Sequence, residues 1–288
     1  MIYEVNQANE ARLYQYFNAF CQDVPYCFPM SFENWQKSMF DDSNYDGTPL
    51  FSRLHTYFTE ENGAVNGFIQ FGLSNFAFGP QGTIDPTQKY AIIRNVHYSK
   101  GAENAGLLFD KAAEFFDEMG ISQRYAFFHF FGMSCYARQG KLHQSGFYME
   151  DMLQKYGYSK EHENVYFTKS LQQPMIDAPD ISFAYSNDGS SIDFIKENNK
   201  IGGCELYFVP YSSICYLKWI YINRKYAHQG LGTKCMHKLF CELQQRGVTQ
   251  LDTDTIDTNF NAQNYYNKTG FENKGIMRSY HNLKSQEA

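Results

Sequence analysis

Hydrophobic positions along this chain of 288 residues recur with two periods. Met236, Leu239, Phe240 and Leu243 fall at i, i+3, i+4 and i+7, which predicts one apolar face of a helix opened by the turn HQGLGT. Gly247 stands where a helix-ending glycine belongs. Upstream, residues 191–197 and 201–209 predict two strands around the turn Asn198-Asn199-Lys200, and 215–222 a third. Downstream, 248–255 predicts a strand, 260–268 a helix, and GFENKGIMRSYH a closing strand or hairpin. The earlier chain predicts a strand at 2–5, helices near 8–22 and 32–40, and strands near 51–60, 64–76 and 90–98. A helix at 105–119 ends at Gly120. RYAFFHFF then predicts a buried strand with His129 hydrogen-bonded inside it, and ENVYFTKSL closes this part. Residues 132–158 show no readable period.

The segment QQPMIDAPD, 172–180, has two prolines and no period, and predicts a linker between a first domain, 1–171, and a second, 181–288. The two parts repeat each other. Each runs strand, loop, helix, Gly-[Ile/Val]-[Ser/Thr]-Gln, strand. Gly120-Ile121-Ser122-Gln123 and Gly247-Val248-Thr249-Gln250 lie 127 positions apart. Lys155-Tyr156-Gly157-Tyr158 and Lys268-Thr269-Gly270-Phe271 lie 113 apart, so the first copy carries 14 extra residues ahead of its Gly-aromatic pair. Two matches in the same order predict a tandem duplication.

Composition excludes several classes. With 43% hydrophobic and 19% charged residues the chain is not disordered, and its net charge of −6 argues against a general nucleic-acid partner. No run reaches the roughly 18 apolar residues of a membrane span, and the polar start lacks a signal-peptide pattern. Seven cysteines, an odd number without Cys-x-x-Cys spacing, predict reduced, buried thiols and a cytoplasmic address. Asp42, Asn44, Asp46 and Gly47 match half of an EF-hand loop, but Arg53 stands where its last ligand must be Glu. His237 and Cys241 make half of a zinc site. No metal is expected.

The chemistry concentrates between Leu217 and Phe271. A strand, a Gly-rich turn, a helix and a second strand predict a parallel pair joined by a crossover. Such a turn aims backbone N–H groups and a positive helix end at one point, an anion site suited to a pyrophosphate. Cys235 occupies the third-glycine position of a dinucleotide fingerprint, and HQGLGTK does not supply a P-loop. IYINRKYAHQGLGTKCMHKLF, followed by Asn259-x-x-Ala262-x-x-Tyr265-Tyr266-x-x-x-Gly270-Phe271, resembles the GNAT acetyltransferase superfamily. The resemblance covers about 205–280 and reaches the first part through the repeat.

The resemblance implies an α/β (α+β) chain of two tandem GNAT-like domains. Each would be a mixed, mostly antiparallel sheet with a parallel central strand pair flanked by helices. It implies acetyl-CoA as co-substrate and transfer of its acetyl group to a primary amine of a small molecule or peptide, by direct attack in a ternary complex. Ile220, Tyr221 and Ile222 would pair with the pantetheine arm, and His228, Gln229, Gly230, Leu231, Gly232 and Thr233 would cradle the pyrophosphate. Asn259, Ala262 and Tyr265 would complete the cofactor site, and Tyr266 would be the general acid, with Tyr265→Phe leaving turnover nearly unchanged. Two departures bear on this. Ala227 replaces the Arg or Gln often found three residues before the first glycine. Leu217-Lys218-Trp219-Ile220 carries no carboxylate where the family often has a Glu base, which leaves Glu205 or a water chain. In the first copy Glu103 and Ala105 replace Gly230 and Gly232, so that copy is expected not to bind the cofactor. The helices after the first strand occur only in the first part, which could supply part of the acceptor site. A non-catalytic acyl-CoA sensor and a transferase for another acyl donor are the rival readings.

Overall fold

The computed structural model describes residues 1–41, 43, 47–79, 81–136 and 139–283, so Asp42, Asn44 and Asp46 lie outside it. The chain forms two compact units, Met1–Glu163 with Met277–Ala288, and Asn164–Ile276.

The N-terminal unit begins with β1 (Ile2–Glu4), α1 (Glu10–Phe20) and α2 (Phe32–Met39), the last capped by Ser31, whose hydroxyl accepts the Asn34 N–H at 3.3 Å. There follow β2 (Phe51–Glu61), β3 (Ala64–Ser74), the short pair β4 (Ala77–Phe78) and β5 (Ile84–Asp85), β6 (Ala91–Tyr98), α3 (Gly106–Glu118), β7 (Gln123–Ala126), β8 (Leu142–His143) and α4 (Glu150–Lys155). The strands pair in the order β1-β2-β3-β6-β7, antiparallel except for β6 with β7. The period of two in β3 divides its side chains between the faces. Phe68 meets Phe17 and Phe20 of α1, and Ile69 and Phe71 join the core that holds Phe109 and Phe116 of α3. RYAFFHFF is a strand only to Ala126; Phe127 takes a φ of 56°, and His129 sits in a 3-10 turn, exposed rather than buried.

The C-terminal unit contains β10 (Ser182–Tyr185), β11 (Ser191–Lys196), β12 (Asn199–Phe208), β13 (Ile214–Ile222), α5 (Leu231–Gln245), β14 (Gln250–Ile256) and α6 (Phe260–Lys268). The strands pair β14-β13-β12-β11-β10, parallel only between β13 and β14. Both helices pack on one face, with Leu231, Met236, Leu239, Phe240 and Tyr266 in a core shared with Leu206, Leu217 and Leu251. Among the described residues of this unit no helix covers the other face.

Two long strands finish the sheets, and they cross the expected domain halves. β9 (Ser159–Ser170) pairs its residues 164–170 antiparallel with β14, and β15 (Glu272–Leu283) pairs its residues 280–283 antiparallel with β7. ENVYFTKSL thus completes the C-terminal sheet rather than closing the first part. The reason is in its side chains: Val165, Phe167 and Leu171 are buried in the core of the C-terminal unit. Likewise Tyr280 is buried in the N-terminal core, and Arg278 donates to Glu150 and Glu163 at 2.7–3.0 Å. The segment 172–180 is irregular, but the compact units begin and end elsewhere.

Candidate functional site

The parallel pair of the C-terminal unit separates soon after it forms. β13 and β14 are in register only from Ile214↔Gln250 to Tyr216↔Asp252. On the other edge of β13 the register with β12 shifts between Glu205 and Leu206, leaving Lys218 as the extra residue. A bulge of this kind bends its strand and re-aims side chains. Side chains then bridge the fork. The Thr253 hydroxyl donates to the Leu217 carbonyl at 2.9 Å on the helix side, and Tyr216 donates its phenol proton to Asp254 on the other.

The N-terminal unit repeats this arrangement. β6 and β7 are in register only from Ala91↔Arg124 to Ile93↔Ala126, and Arg94 is the extra residue at a bulge against β3. Arg94 donates to Gln70 on β3, as Lys218 does to Glu205 on β12. The two bulge cations lie 124 positions apart, a correspondence the sequence comparison missed because Arg/Lys and Gln/Glu replace each other.

At the end of β13 the chain turns into α5. His228 has a φ of 60° and Gly230 one of 74°, the left-handed conformation in which glycine has no steric cost. Tyr226 and Ala227 donate their N–H groups to Asn223 and Arg224, and Lys234 donates to Gly230. Between them, no backbone N–H from His228 to Thr233 has an acceptor among the described residues. Six consecutive donors thus gather at the positive end of a 15-residue helix. A Cβ on Gly232 would stand 3.5 Å from Ile222 and from the Tyr265 ring, ordinary contact on the protein side. Ile220 and Ile222 face the helices, whereas Tyr221 is exposed on the opposite face beside Trp219.

In the N-terminal unit the matching turn, 101–106, spends two of its backbone N–H groups, those of Ala102 and Ala105, on nearby carbonyls. At the start of α3, Leu107 and Leu108 likewise donate to carbonyls three residues back. The Asn104 amide donates to the Glu60 carbonyl and accepts from Asn66, and Glu103 stands exposed in the turn.

α6 carries the remaining positions. Asn259 caps it, its side chain accepting the Ala262 N–H at 3.2 Å. Tyr265 donates to the Gly232 carbonyl at 2.7 Å, so it braces the turn. The Tyr266 hydroxyl, 3.5 Å from Thr253 Oγ1, points to the fork from a ring packed among Phe167, Tyr265 and Phe271. Burial raises the pKa of both phenols. Glu205 is engaged on both oxygens, by Lys218 and by the Trp219 indole N–H at 2.7 Å.

Two aspartates went unnoticed in the sequence. In L-D-T-D-T the alternation turns Leu251 and Thr253 to the helices and Asp252 and Asp254 to the other face, a signal legible once β14 is known to be a strand. Asp254 accepts from Asn164 at 2.6 Å and from Tyr216. Asp252 is fully buried, accepts from Tyr166 at 2.7 Å and from Gln250 at 3.0 Å, and burial pushes its pKa up to about 6. Between the ordinary value of about 4 and this one, the unfolded chain has lost a proton that the folded chain keeps. Stability is therefore expected to fall by roughly 3 kcal/mol as pH rises from about 4 to about 6. Denaturant titrations of wild type and Asp252→Asn across that range check it; parallel profiles would contradict it.

A family model described as the acetyltransferase (GNAT) family matches residues 156–271. Residues 156–271 belong to the GNAT acetyltransferase family. A search of curated proteins gives no match. Among solved structures, a tandem GNAT protein from the clavulanic acid biosynthesis pathway, determined without acetyl-CoA, matches over 100% of this chain and 99% of its own, with TM-score 0.67 and 9% identity. The GCN5-related glucosamine N-acetyltransferase region of a fungal multi-domain GH3 β-N-acetylglucosaminidase matches over 98% of this chain, with TM-score 0.64 and 14% identity; the chain spans 38% of that protein. A GCN5-related N-acetyltransferase from Sphaerobacter thermophilus matches over 98% of this chain and 94% of its own, with TM-score 0.61 and 11% identity. At such identities the likeness is one of fold, and over its whole length the chain has the fold of tandem GNAT proteins. Among the described residues no helix is long and apolar enough to cross a membrane.

Proposed function

We propose that the C-terminal unit transfers an acetyl group from acetyl-CoA to a primary amine of a small molecule or peptide. The observation that carries this reading is the row of six backbone N–H groups without acceptors, His228–Thr233, beside a forked parallel strand pair in a GNAT-family domain. Those donors and Gly230 and Gly232 would hold the pyrophosphate, with Ile220 and Ile222 along the arm that leads into the fork. Asn259 and Ala262 would meet the cofactor at the start of α6. The amine nitrogen bonds to the acetyl carbon as the C–S bond breaks. The nitrogen passes its proton to solvent water, the thiolate sulfur takes one from the Tyr266 hydroxyl, and solvent returns a proton to Tyr266.

A raised phenol pKa keeps Tyr266 protonated at neutral pH, as that role requires. Tyr266→Phe is expected to lower kcat by about 10²–10⁴-fold with little change in cofactor affinity. Tyr265→Phe is expected to leave kcat nearly unchanged but raise the KM for acetyl-CoA by about two- to tenfold, through loss of the bond that braces Gly232. Steady-state kinetics of the two variants check this; a wild-type kcat for Tyr266→Phe with chemistry rate-limiting would remove the acid role.

Glu205, engaged by Lys218 and Trp219, favours the second reading, a sensor that binds acyl-CoA without turnover. Thiol release from acetyl-CoA in the presence of a panel of primary amines separates the two: amine-dependent release is expected for a transferase and none for a sensor.

A further inference from the structure

In the N-terminal unit β6 loses its neighbour where β7 leaves it, and the gap holds a cavity of about 770 Å³, within the range of about 300–1,000 Å³ typical of small-molecule sites. Which backbone groups face the gap follows from the phase of the ladder. In an antiparallel pair, alternate residues point both N–H and C=O to the partner strand, and the residues between them point theirs to the other edge. The Ser99 N–H donates to the Asn66 carbonyl at 2.8 Å. With the register Tyr98↔Gly67 to Asn95↔Gln70, the groups of Asn95, His97 and Ser99 therefore belong to β3, and those of Val96 and Tyr98 face the gap. On the near side of the bulge the phase is the opposite: Ile93 accepts the Phe127 N–H at 3.0 Å from the β7 side. The extra residue Arg94 makes the change, since one added residue reverses the edge that each following residue faces.

Tyr148 donates its hydroxyl proton to the Tyr98 carbonyl at 2.5 Å and closes that end of the edge. Among the described residues nothing meets the N–H and C=O of Val96 on the gap side. Val96 is 1% exposed and lines the cavity. A buried residue with both main-chain groups open is rare, because each such group costs free energy until it is paired. The Val96 side chain shares a core with Phe127, Leu142 and Met149, which line the same cavity. The His97 side chain lies on the opposite face of β6, stacked on Phe20 at 3.9 Å with its ring nitrogens 2.8 and 3.2 Å from the Tyr16 and Tyr148 hydroxyls.

We infer that this cavity binds an N-acylated amino acid amide with an apolar side chain, its central –NH–CHR–CO– unit lying antiparallel to Val96. The N–H of that unit donates to the Val96 carbonyl and its carbonyl accepts the Val96 N–H, as one residue of an added strand would. Opposite residues of an antiparallel pair share a face, so the side chain R enters among Phe127, Leu142 and Met149. A single trans amide would not serve, because its N–H and C=O point in opposite directions. A longer peptide strand gains nothing, because Tyr148 already holds the Tyr98 carbonyl and one residue alone keeps both groups open.

The probe is N-naphthoyl-leucine methylamide, read by fluorescence anisotropy on the full chain and expected to bind saturably at one site. Its depsi counterpart, with oxygen in place of the leucine N–H, is expected to bind about tenfold more weakly, because the Val96 carbonyl stays unpaired. A naphthoylated pentapeptide with leucine at its centre is expected to bind no tighter, and saturating coenzyme A to displace none of the first probe. Val96→Pro removes the donor that faces the gap and puts the ring in its place, yet takes no bond from the β3 ladder, so it is expected to lower affinity by at least about tenfold. Ala19→Trp, at an exposed helix position on the cavity wall, is expected to weaken binding as well. Equal affinity of the probe and its depsi counterpart, tighter binding of the pentapeptide, displacement by coenzyme A, or absence of saturable binding would overturn the inference. Should Val96→Pro not fold, the ratio of the two compounds in wild type and the Ala19→Trp result still decide.

Discussion

Titration of the full chain with coenzyme A is expected to fill one site, and Gly232→Val to weaken that binding by at least about a hundredfold. The expectation follows from how the two turns use their backbone donors. In the C-terminal turn, six N–H groups from His228 to Thr233 have no internal acceptor, and a phosphate that meets several of them gains charge-assisted hydrogen bonds. Each such bond contributes about 1.5–3 kcal/mol, so losing two accounts for the hundredfold. The glycines allow the approach. Gly230 supplies the left-handed backbone in open space, and Gly232 puts no side chain at the helix end beside Ile222 and Tyr265. A Cβ at 232 fits against Ile222 and Tyr265 at 3.5 Å, so the loss would report blocked ligand approach and not a disrupted fold. Gly232→Ala, with a single methyl, should fall between. The N-terminal turn already spends the Ala102 and Ala105 N–H groups on carbonyls, and it carries the acidic residue Glu103 where the C-terminal turn has Gly230. Calorimetry gives the stoichiometry; two equal sites, or full affinity in Gly232→Val, would contradict the argument.

The elements were legible where a period ran long enough. The stripe Met236, Leu239, Phe240 and Leu243 is buried on α5 as expected, and the parallel pair flanking α5 follows from the crossover. The repeat of Gly-Ile-Ser-Gln and Gly-Val-Thr-Gln marks the same helix-to-strand turn in both units, each glycine at positive φ. What escaped had no local signal. A strand's period shows which side chains share a face but not which strand lies beside it, so the exchange of β9 and β15 was not readable. β10 was missed because four residues are too short for a pattern. The 3-10 turns Ser134–Tyr136 and Gln144–Met149 leave neither period. At the turn, sequence picked out the glycines; only the structure shows Tyr265 bonded to one of them and Glu205 tied to the bulge.

Where the chain is cut should therefore matter more than the linker suggests. A fragment of residues 181–276 is expected not to fold, whereas 164–276 is expected to unfold cooperatively. The difference is the C-terminal half of β9. Residues 164–170 pair along the whole of β14 from Ser170↔Gln250 to Asn164↔Ile256. Without them β14 becomes an edge, and Val165, Phe167 and Leu171 leave the core that packs α5 and α6. Removing one large buried apolar side chain typically costs about 2–5 kcal/mol, and a domain has about 5–15 kcal/mol in all. Three such losses, with a full ladder of backbone hydrogen bonds, exceed what the unit can absorb. The same reasoning runs in the other direction. Ending the chain at Ile276 removes β15 from β7, takes Tyr280 out of the N-terminal core, and leaves Glu150 and Glu163 without Arg278. That truncation should therefore lower the stability of the N-terminal unit. Far-UV circular dichroism and thermal unfolding of the fragments read the outcome. If 181–276 melts cooperatively at the midpoint of 164–276, the exchanged strand is dispensable and the linker marks the true boundary.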